Sequence, residues 1–549
     1  MAGSTRFETH EVFNQAPPLG DFDLFAADLP LREAVAVNGA GQDAEALSSF
    51  GQHWGTAELA EQARLADENL PKLQTFDARG YRRDVVEFHP AYHRFMSESM
   101  AAGLHVMTWQ PDATPTPAPA EVARAARYYM VAQVENGHMC PITMTRASVA
   151  ALAGEPDLIK RVMPKIGGRQ YDPSFRPWWE KSAMTVGMGM TEKQGGTDVR
   201  ANTTKAVREG EGYAITGHKW FMSAPMSDAF LVLAQAPGGL TCFFMPRFRP
   251  DGGVNALHFQ RLKNKLGNRS NASTEVEFRD AFALRVGDEG KGIRTILKMV
   301  QLTRLDCAIA SGGLMRAALV RALHNARHRQ VFGKPLADQP MMRLVLADMA
   351  LEVEGAVALI MRLCRAVDLS ASDESEARLA RLLTPAAKYW ICKTAPPFAY
   401  EAMESLGGNG YVEDGVLARL YREAPVNAIW EGSGNVMCLD VLRAIGREGE
   451  SLQATMAEVI QQAAGLPGAR DAVDFIARTL AADNAEAQAR AAVERIALLA
   501  AAAALTKSAP AVAEVFARTR LSGRRGAMFG TSDISESEAE MLLERALPA

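Results

Sequence analysis

The sequence has no long hydrophobic run. Its most apolar stretch, Ile496 to Leu505, is ten residues long, whereas a helix that spans a bilayer needs about twenty apolar residues. The first fifteen residues contain a single arginine and no apolar stretch of the signal-peptide type. We therefore expect no transmembrane helix and no membrane partner, and we take a cytoplasmic location as the default expectation.

Cysteine is sparse and isolated. The six cysteines form no CxxC pair, and no histidine stands at metal-ligand spacing from them. We expect neither a disulfide framework nor a metal site. Free cysteine is commonly buried, so we interpret these residues as reduced, mostly buried thiols: Cys140, Cys242, Cys307, Cys364, Cys392 and Cys438.

The sequence also has no excess of basic residues: 60 Lys and Arg stand against 64 Asp and Glu, which gives a formal net charge of −4. The whole chain lacks the basic excess of a dedicated nucleic-acid binder, so any DNA-binding surface must be local. Alternating βαβ units and a GxGxxG motif after a strand are missing as well, which argues against a Rossmann nucleotide site. A dinucleotide would have to be held in another way, between domains.

The chain has 549 residues, which is more than a single hydrophobic core usually accommodates, so we expect several domains. Residues 1–183 predict a helical domain, with a Pro/Thr break at 111–119. Residues 184–282 predict a middle β-domain, because short apolar and β-branched runs occur there. Helical periodicity returns over 283–445, and Ala-rich residues 446–549 predict a separate C-terminal helical domain. The fold class is mainly α with a middle β-domain.

The first motif with chemical meaning is the glycine-rich segment Gly187–Val199, GMGMTEKQGGTDV. Its glycines allow backbone N–H groups to approach an anion, and the hydroxyls of Thr191 and Thr197 can bond a polar ring edge or a phosphate. By itself this segment is equally compatible with a glycine-rich surface turn.

Four further motifs follow in order: HKWFMSAP at 218–225, RQVFGKPL at 329–336, LGGNGY at 406–411 and IWEGSGN at 429–435. Together with the glycine-rich segment they resemble the acyl-CoA dehydrogenase family. The resemblance implies a helical domain, a β-barrel-like domain and a four-helix domain, with FAD in a cleft shared with a neighbouring subunit. The chain should then be a homo-oligomer, and a tetramer is the family habit.

The resemblance also assigns cofactor-binding residues. Thr191 would contact the flavin ring and Thr197 the pyrophosphate, while Phe221 and Ser223 stand where the family carries Trp and Thr. Arg329, Phe332 and Gln339 match positions that in the family contact the ADP half of FAD held by a partner subunit. Gly407 and Gly408 would allow close backbone approach to the pyrophosphate of that FAD. The rest of the implied set is Met188, Gly189, Met190, Gly195, Gly196, Met222, Trp430, Gly432, Ser433 and Asn435.

Glu431 is the candidate catalytic base. Dehydrogenation of an acyl thioester requires a carboxylate that takes the α-proton, and a dry pocket can raise a glutamate pKa into the useful range. In isolation Glu431 could equally be a glutamate at the start of a helix. Some family members place the base just before an arginine that resembles Arg304, but Thr303 precedes it here and cannot act as a base.

Motifs outside the flavin site narrow the resemblance to the AidB-type adaptive-response flavoproteins. They are THEVFNQAPPLGDFDLF near the N-terminus, FHPAYHRFM, MCPITMT at 139–145, KLGNRSNAS at 265–273 and the additional C-terminal domain. This branch implies double-stranded DNA binding through the C-terminal domain, protection of DNA or inactivation of alkylating agents, and weak isovaleryl-CoA-like dehydrogenase activity.

The sequence supports DNA binding less well than flavin binding. Residues 441–549 contain 12 Lys/Arg against 14 Asp/Glu. The one dense basic cluster could neutralise phosphates, although a solvated charged face is the plainer interpretation; it consists of Arg518, Arg520, Arg524 and Arg525.

Two other functions remain open at this point. The chain could be an ordinary short- or branched-chain acyl-CoA dehydrogenase with no DNA role. It could also be a scaffold without turnover, in which FAD only stabilises the folded oligomer.

Overall fold

The computed structural model describes residues 9–109, 120–447 and 449–548. The Pro/Thr break predicted at 111–119 lies outside the described residues. Helices dominate the N-terminal part, as predicted. Asp28 and Thr56 accept hydrogen bonds from the backbone amides of Leu31 and Leu59 and so start the first and third helices. The helices are α1 Leu29–Val35, α2 Ala44–Trp54, α3 Ala57–Glu68, α4 Pro90–Ala101, α5 Ala120–Ala132, α6 Met139–Leu152 and α7 Pro156–Ile166.

An antiparallel hairpin interrupts these helices, which the sequence did not lead us to expect. It consists of β1 (Lys72–Phe76) and β2 (Arg82–Glu87). The carboxylate of Asp77 closes its turn by accepting hydrogen bonds from two backbone amides. Val86 is buried in the hydrophobic core of the middle domain. The hairpin is therefore ordered by packing against another domain rather than by local sequence.

The middle domain is a β-sheet closed into a barrel, as predicted. Five strands form the ring β6–β4–β5–β9–β7, and pairing of β6 with β7 closes it. Strand β3 pairs with β6, and β8 pairs with β9. The last strand passes the predicted boundary at 282 by four residues. The bounds are β3 Val186–Gly189, β4 Lys205–Glu209, β5 Gly212–Ser223, β6 Ala229–Ala236, β7 Gly239–Pro246, β8 Leu257–Leu262 and β9 Ser273–Val286.

The four-helix domain consists of α8 (Gly292–His328), α9 (Pro340–Leu369), α10 (Glu374–Ser405) and α13 (Gly434–Arg447). A small hairpin, β10 (Gln330–Val331) and β11 (Lys334–Pro335), joins α8 to α9. Two short helices lie between α10 and α13: α11 Gly408–Tyr411 and α12 Val416–Glu423.

The C-terminal helices do not have a core of their own. Their buried residues belong to one hydrophobic core together with the N-terminal helices and the four-helix domain. Phe516, for example, packs edge-on against Trp390 of α10 at 6.1 Å between ring centroids. The additional helical segment is therefore a further layer on the four-helix domain. Its helices are α14 Gly449–Ala463, α15 Ala469–Ala481, α16 Ala485–Ser508, α17 Pro510–Phe516 and α18 Glu536–Ala546.

The basic cluster of this segment is mostly committed to the fold. Arg520 is fully buried and pairs with Asp348 at 2.6 Å and with Glu352 at 2.9 Å. The prediction that Arg520 contacts DNA is therefore wrong, because its guanidinium is enclosed against α9. Arg518 pairs with Glu538 at 2.7 Å. Arg524 and Arg525 are more accessible, with 65% and 29% of their side chains exposed.

The structure also bears on the predictions about membrane-spanning helices and about the cysteines. None of the helices in the described ranges is long and apolar enough to cross a membrane. All six cysteines are free and buried, which confirms their interpretation as buried thiols.

We predict that Arg520→Gln destabilises the protein by about 3–5 kcal/mol, because it leaves the buried carboxylate of Asp348 without a cation and that of Glu352 with only Arg525 at 3.7 Å. Urea unfolding measured by circular dichroism tests this. Arg524→Gln is the matched control and should cost little, since exposed ion pairs contribute little to stability. Equal, small losses in both variants would contradict the structural role of Arg520.

Candidate active site

Glu431 lies on a strained turn just before α13. Its φ is 59°, and that of Gly432 is 106°. A non-glycine residue in the left-handed region costs roughly 1–2 kcal/mol, and such strain persists only where surrounding groups hold it.

Two cationic side chains hold this turn through its carbonyl groups. Lys388, buried on α10, donates to the carbonyl oxygens of Trp430 at 3.0 Å and Gly432 at 2.8 Å. Arg304 of α8 donates from Nε to the carbonyl oxygen of Glu431 at 3.0 Å. Three consecutive carbonyls thus accept hydrogen bonds from neighbouring helices, and the backbone that presents the Glu431 carboxyl is fixed.

The carboxyl itself has one hydroxyl partner. Thr303 donates from Oγ1 to Oε2 of Glu431 at 2.7 Å. Burial raises the pKa of Glu431, and the hydrogen bond from Thr303 and the charges of Lys388 and Arg304 oppose that rise. A carboxyl in these surroundings suits a general base. Thr303, which cannot serve as the base, instead positions it.

Sequence reasoning missed Lys388. The only signal was its place within the apolar run of α10, where a lysine needs a buried acceptor. Arg304 had been noted only for its likeness to a family arginine. In the structure Asp440 joins it at 2.7 Å and also pairs with Arg381 at 2.8 Å, so the arginine is itself held in place.

The glycine-rich segment packs against the same region. Met188, Met190 and Trp430 belong to one hydrophobic cluster. The backbone amide of Trp220 donates to the carbonyl of Thr191 at 2.8 Å, which ties β5 to this segment. The structure therefore brings the predicted flavin-contacting segment and the IWEGSGN segment together.

A buried ion pair joins Glu192 of the glycine-rich segment to Lys219 of β5. Lys219 and Glu192 are fully buried and lie 2.8 Å apart. Glu192 also accepts hydrogen bonds from the backbone amides of Thr203 and Thr204. Burial lowers the pKa of Lys219 to about 8. Neither residue was singled out from the sequence.

Strand β5 is irregular at the predicted flavin-contacting positions, because its register against β9 shifts between Lys219 and Met222. Phe221 is half-exposed, and Ser223 shares a 2.9 Å hydrogen bond with Ser273. Met222 is buried in the barrel core. Its side chain therefore lies inside the barrel, and a cofactor contact of Met222 could come only from its backbone, which stays a prediction.

The positions implied for the ADP half of FAD lie at the surface or bond within the chain. Phe332 is 98% exposed. Arg329 donates to the carbonyl of Asn14 at 2.9 Å, and Gln339 donates to the carbonyl of Val331 at 2.8 Å. Their assignment to a cofactor held by a neighbouring subunit stays a prediction.

Gly407 and Gly408 form an open backbone surface. Gly407 has a φ of 61°, and a Cβ placed on either residue would meet no atom within 4 Å. Gly195, Gly196 and Thr197 are exposed as well, and a Cβ on Gly195 would meet no atom within 4 Å, whereas a Cβ on Gly196 would collide with Oγ1 of Thr191.

Of the remaining predicted positions, Gly189 ends β3 and Ser433 is exposed. The side-chain oxygen of Asn435 accepts a hydrogen bond from Arg490 of α16 at 2.8 Å, so that oxygen is already occupied by the C-terminal helices.

These residues fit a flavin dinucleotide. Gly195, Gly407 and Gly408 leave room for close backbone approach to a pyrophosphate, and the hydrophobic cluster that includes Met188, Met190 and Trp430 offers apolar side chains for a ring system. The carboxyl of Glu431 adds the candidate base that the exposed glycines and the apolar cluster lack.

Comparison with known proteins agrees with this arrangement. Residues 14–173 match the model for the adaptive response protein AidB N-terminal domain, 187–281 the acyl-CoA dehydrogenase middle domain, and 290–446 the acyl-CoA dehydrogenase C-terminal domain. The chain is 53% identical over 444 residues to the putative acyl-CoA dehydrogenase AidB of Escherichia coli, covering 80% of this chain and 81% of that protein. The chain belongs to the AidB branch of the acyl-CoA dehydrogenase family.

Relatives outside bacteria share the same architecture. Acyl-CoA dehydrogenase family member 11 of Caenorhabditis elegans is 32% identical over 423 residues, covering 73% of this chain and 67% of that protein. The structure of C. elegans ACDH-11 in complex with C11-CoA superposes with a TM-score of 0.81 at 27% identity, covering 100% of this chain and 95% of that one. The predicted fold class is confirmed. Family membership makes the protein an FAD-dependent acyl-CoA dehydrogenase-type oxidoreductase.

We predict that Thr303→Val shifts the pH dependence of flavin reduction to higher pH. The base must be ionised, and loss of the Thr303 hydroxyl removes a hydrogen bond that favours the ionised carboxyl, so the pKa of Glu431 rises further. Reduction by an acyl-CoA should slow about tenfold on the acidic side and recover at high pH. Stopped-flow absorbance across a pH series measures this, and Thr303→Ser should retain the original profile. Superimposable profiles for Thr303→Val and the parent protein would show that Thr303 does not act on the base.

Proposed function

We propose that the protein dehydrogenates short or branched acyl-CoA thioesters with Glu431 as the base. The Glu431 carboxylate removes the α-proton of the acyl group, the β-hydrogen leaves with its electron pair, and a 2-enoyl-CoA forms. FAD, when bound, supplies the hydride acceptor. The observation that carries the proposal is the carboxyl of Glu431, held by Thr303 at 2.7 Å on a turn fixed from α8 and α10.

The surrounding residues support this chemistry by limiting movement. Trp430 donates from its indole nitrogen to Asn427 at 2.9 Å, which orients the ring beside the carboxyl. Lys388 and Arg304 bond backbone carbonyls and leave the carboxylate oxygens of Glu431 to Thr303 and the substrate. An acyl-CoA ligand is also present in the C. elegans ACDH-11 structure, which has the same fold.

We expect Glu431→Gln to slow flavin reduction by isovaleryl-CoA about 10²–10⁴-fold, because an amide cannot take the α-proton. The FAD content and the thermal midpoint should stay unchanged. Anaerobic stopped-flow measurement of the flavin absorbance band tests this, with Glu404→Gln, an exposed position, as the matched control. Undiminished reduction in Glu431→Gln would remove Glu431 from the mechanism. A parent protein that binds FAD but is not reduced by acyl-CoAs would favour the scaffold without turnover.

The same site is proposed to be shared between subunits of a homotetramer. Large apolar side chains beside the implied FAD positions are exposed in the single chain: Phe332 by 98%, Tyr411 by 80% and Ile429 by 66%. We propose that these three side chains belong to one interaction surface, since contiguous apolar exposure marks such surfaces. A neighbouring subunit would cover these residues and bring Arg329 and Gln339 to the ADP half of the cofactor.

A second proposed role is binding of double-stranded DNA in the response to alkylation, with protection of the DNA or inactivation of alkylating agents. Its support is the match to the adaptive response protein AidB N-terminal domain and the 53% identity to E. coli AidB. A cytoplasmic location would accompany this role. Because Arg520 is buried and Arg518 pairs closely with Glu538 at 2.7 Å, the proposed phosphate-contacting surface is reduced to Arg524 and Arg525, whose ion pairs with Asp533 and Glu352 are longer, at 3.4 and 3.7 Å.

We expect Arg524→Gln/Arg525→Gln to weaken binding to a short duplex and to make the salt dependence shallower, because each lost phosphate contact lowers the number of released counterions. Fluorescence anisotropy at several salt concentrations measures both quantities. Arg470→Gln/Arg478→Gln, exposed on α15, serves as the charge-matched control. Unchanged affinity and slope in the first variant would rule out this surface.

A further inference from the structure

Two motifs to which the proposed dehydrogenation gives no role, MCPITMT and KLGNRSNAS, meet beside β5. Ser273, the last residue of the second motif, pairs with Ser223 of β5, and the two hydroxyl oxygens lie 2.9 Å apart. The thiol of Cys140, from the first motif, also interacts with the Ser223 side chain. The charges of Lys265 and Glu431 both act on that thiol. The two motifs therefore converge next to the candidate base.

Lys265, the first residue of KLGNRSNAS, has three acceptors around its ammonium group. Its Nζ donates to the backbone carbonyl of Asn271 at 2.8 Å, and to Oδ1 of Asn268 and Oγ of Ser273 at 3.3 Å each. An ammonium group has three donors and no acceptor, so each of its protons has one partner here. Burial lowers the pKa of Lys265 to about 8, and at pH 7 the side chain is therefore still mostly charged.

The side-chain amide of Asn268 is held in the orientation that this contact requires. Its backbone amide and its Nδ2 both donate to the buried carboxyl group of Glu423 on α12, the second at 3.1 Å. Because Nδ2 faces Glu423, Oδ1 is left to accept from Lys265 and from Nδ2 of Asn271 at 3.1 Å. The position of the ammonium group is thus fixed from the helical domain.

This ammonium group sets the direction of the hydrogen bond between the two serines. Because Lys265 can only donate, Oγ of Ser273 accepts from it. Among the described residues, the proton of the Ser273 hydroxyl then has one acceptor, Oγ of Ser223. Ser223 accepts from Ser273 and keeps its own proton to donate elsewhere. Cys140 takes that proton poorly, since burial raises the pKa of its thiol to about 12 and a neutral sulfur is a weak acceptor.

We propose that Lys265 is a positioning residue for the cofactor: acting through Ser273, it makes the Ser223 hydroxyl a hydrogen-bond donor to bound FAD. The proposal rests on the proposed function and on the predicted contact of Ser223 with FAD. Ser273 is only 5% exposed, whereas Ser223 is half-buried and so keeps accessible surface. FAD gains electrons on reduction, and a donor that is polarised by an ammonium group favours the reduced form. Lys265 therefore raises the midpoint potential of the bound cofactor.

The midpoint potential of the FAD-loaded protein, measured by redox titration against a dye of known potential, tests this. For Lys265→Met we expect the ratio of the affinities for reduced and oxidised FAD to fall about tenfold, which lowers the potential by about 30 mV. Ser273→Ala keeps the ammonium group but breaks the relay, and should lower the potential by a similar amount. Lys205→Met, which removes an exposed lysine of β4, is the charge-matched control and should keep the potential of the parent protein.

A combined variant shows whether these residues act as one unit. Adding Lys265→Met to Ser273→Ala should lower the potential no further, because either change alone breaks the relay. Ser223→Ala should lower it as well. Ser273→Ala still decides the matter if Lys265→Met does not fold.

Two results would overturn the proposal. A parent-like potential in Ser273→Ala would show that Lys265 does not act through this hydroxyl. A parent-like potential in Ser223→Ala would show that the Ser223 hydroxyl does not donate to FAD. The titration needs no acyl-CoA, so a parent protein that isovaleryl-CoA does not reduce would refute the proposed dehydrogenation, while the potentials would still decide the role of Lys265.

Discussion

The turn that carries Glu431 depends on cations inserted from two neighbouring helices. Lys388 and Arg304 bond the carbonyls of residues 430, 431 and 432, and without them a left-handed glutamate next to a left-handed glycine would relax. The ammonium of Lys388 is buried, and its desolvation is offset by the carbonyl dipoles that it orders. One buried group therefore links the packing of α10 to the direction of the candidate base.

Similar buried charges join the domains around this turn. Arg124 of α5 bonds Asp306 of α8 through two contacts at 2.8 and 2.7 Å, and Arg146 of α6 reaches the same carboxylate. Glu423 of α12 accepts from Asn268 in the barrel. The C-terminal helices follow the same pattern, since Arg520 and Arg545 bond carboxylates of α9. Breaking one partner of such a pair is costly, so the elements that carry the site are fixed relative to one another.

The sequence predicted those features whose cause is local. Runs of β-branched and aromatic residues identified β6, β7 and β9, and the motif IWEGSGN identified Glu431. Features with distant causes were missed. The hairpin of β1 and β2 is set by contact with the barrel. A basic cluster such as that around Arg520 has the same local pattern whether it faces water or the carboxylates of α9. Met222 has a different cause, because the register of β5 against β9 shifts between Lys219 and Met222, so a period of two residues does not predict which side chain points inward there.

Hydrogen exchange at the α-carbon tests the central claim most directly, because it reports the act of the base alone. The FAD-loaded protein would be incubated anaerobically with isovaleryl-CoA in D₂O, and the recovered thioester analysed by mass spectrometry. Deuterium should enter the α-position with the parent protein, more slowly with Lys388→Met, and not with Glu431→Gln. Equal incorporation by the parent protein and Glu431→Gln would contradict the assignment of Glu431 as the base.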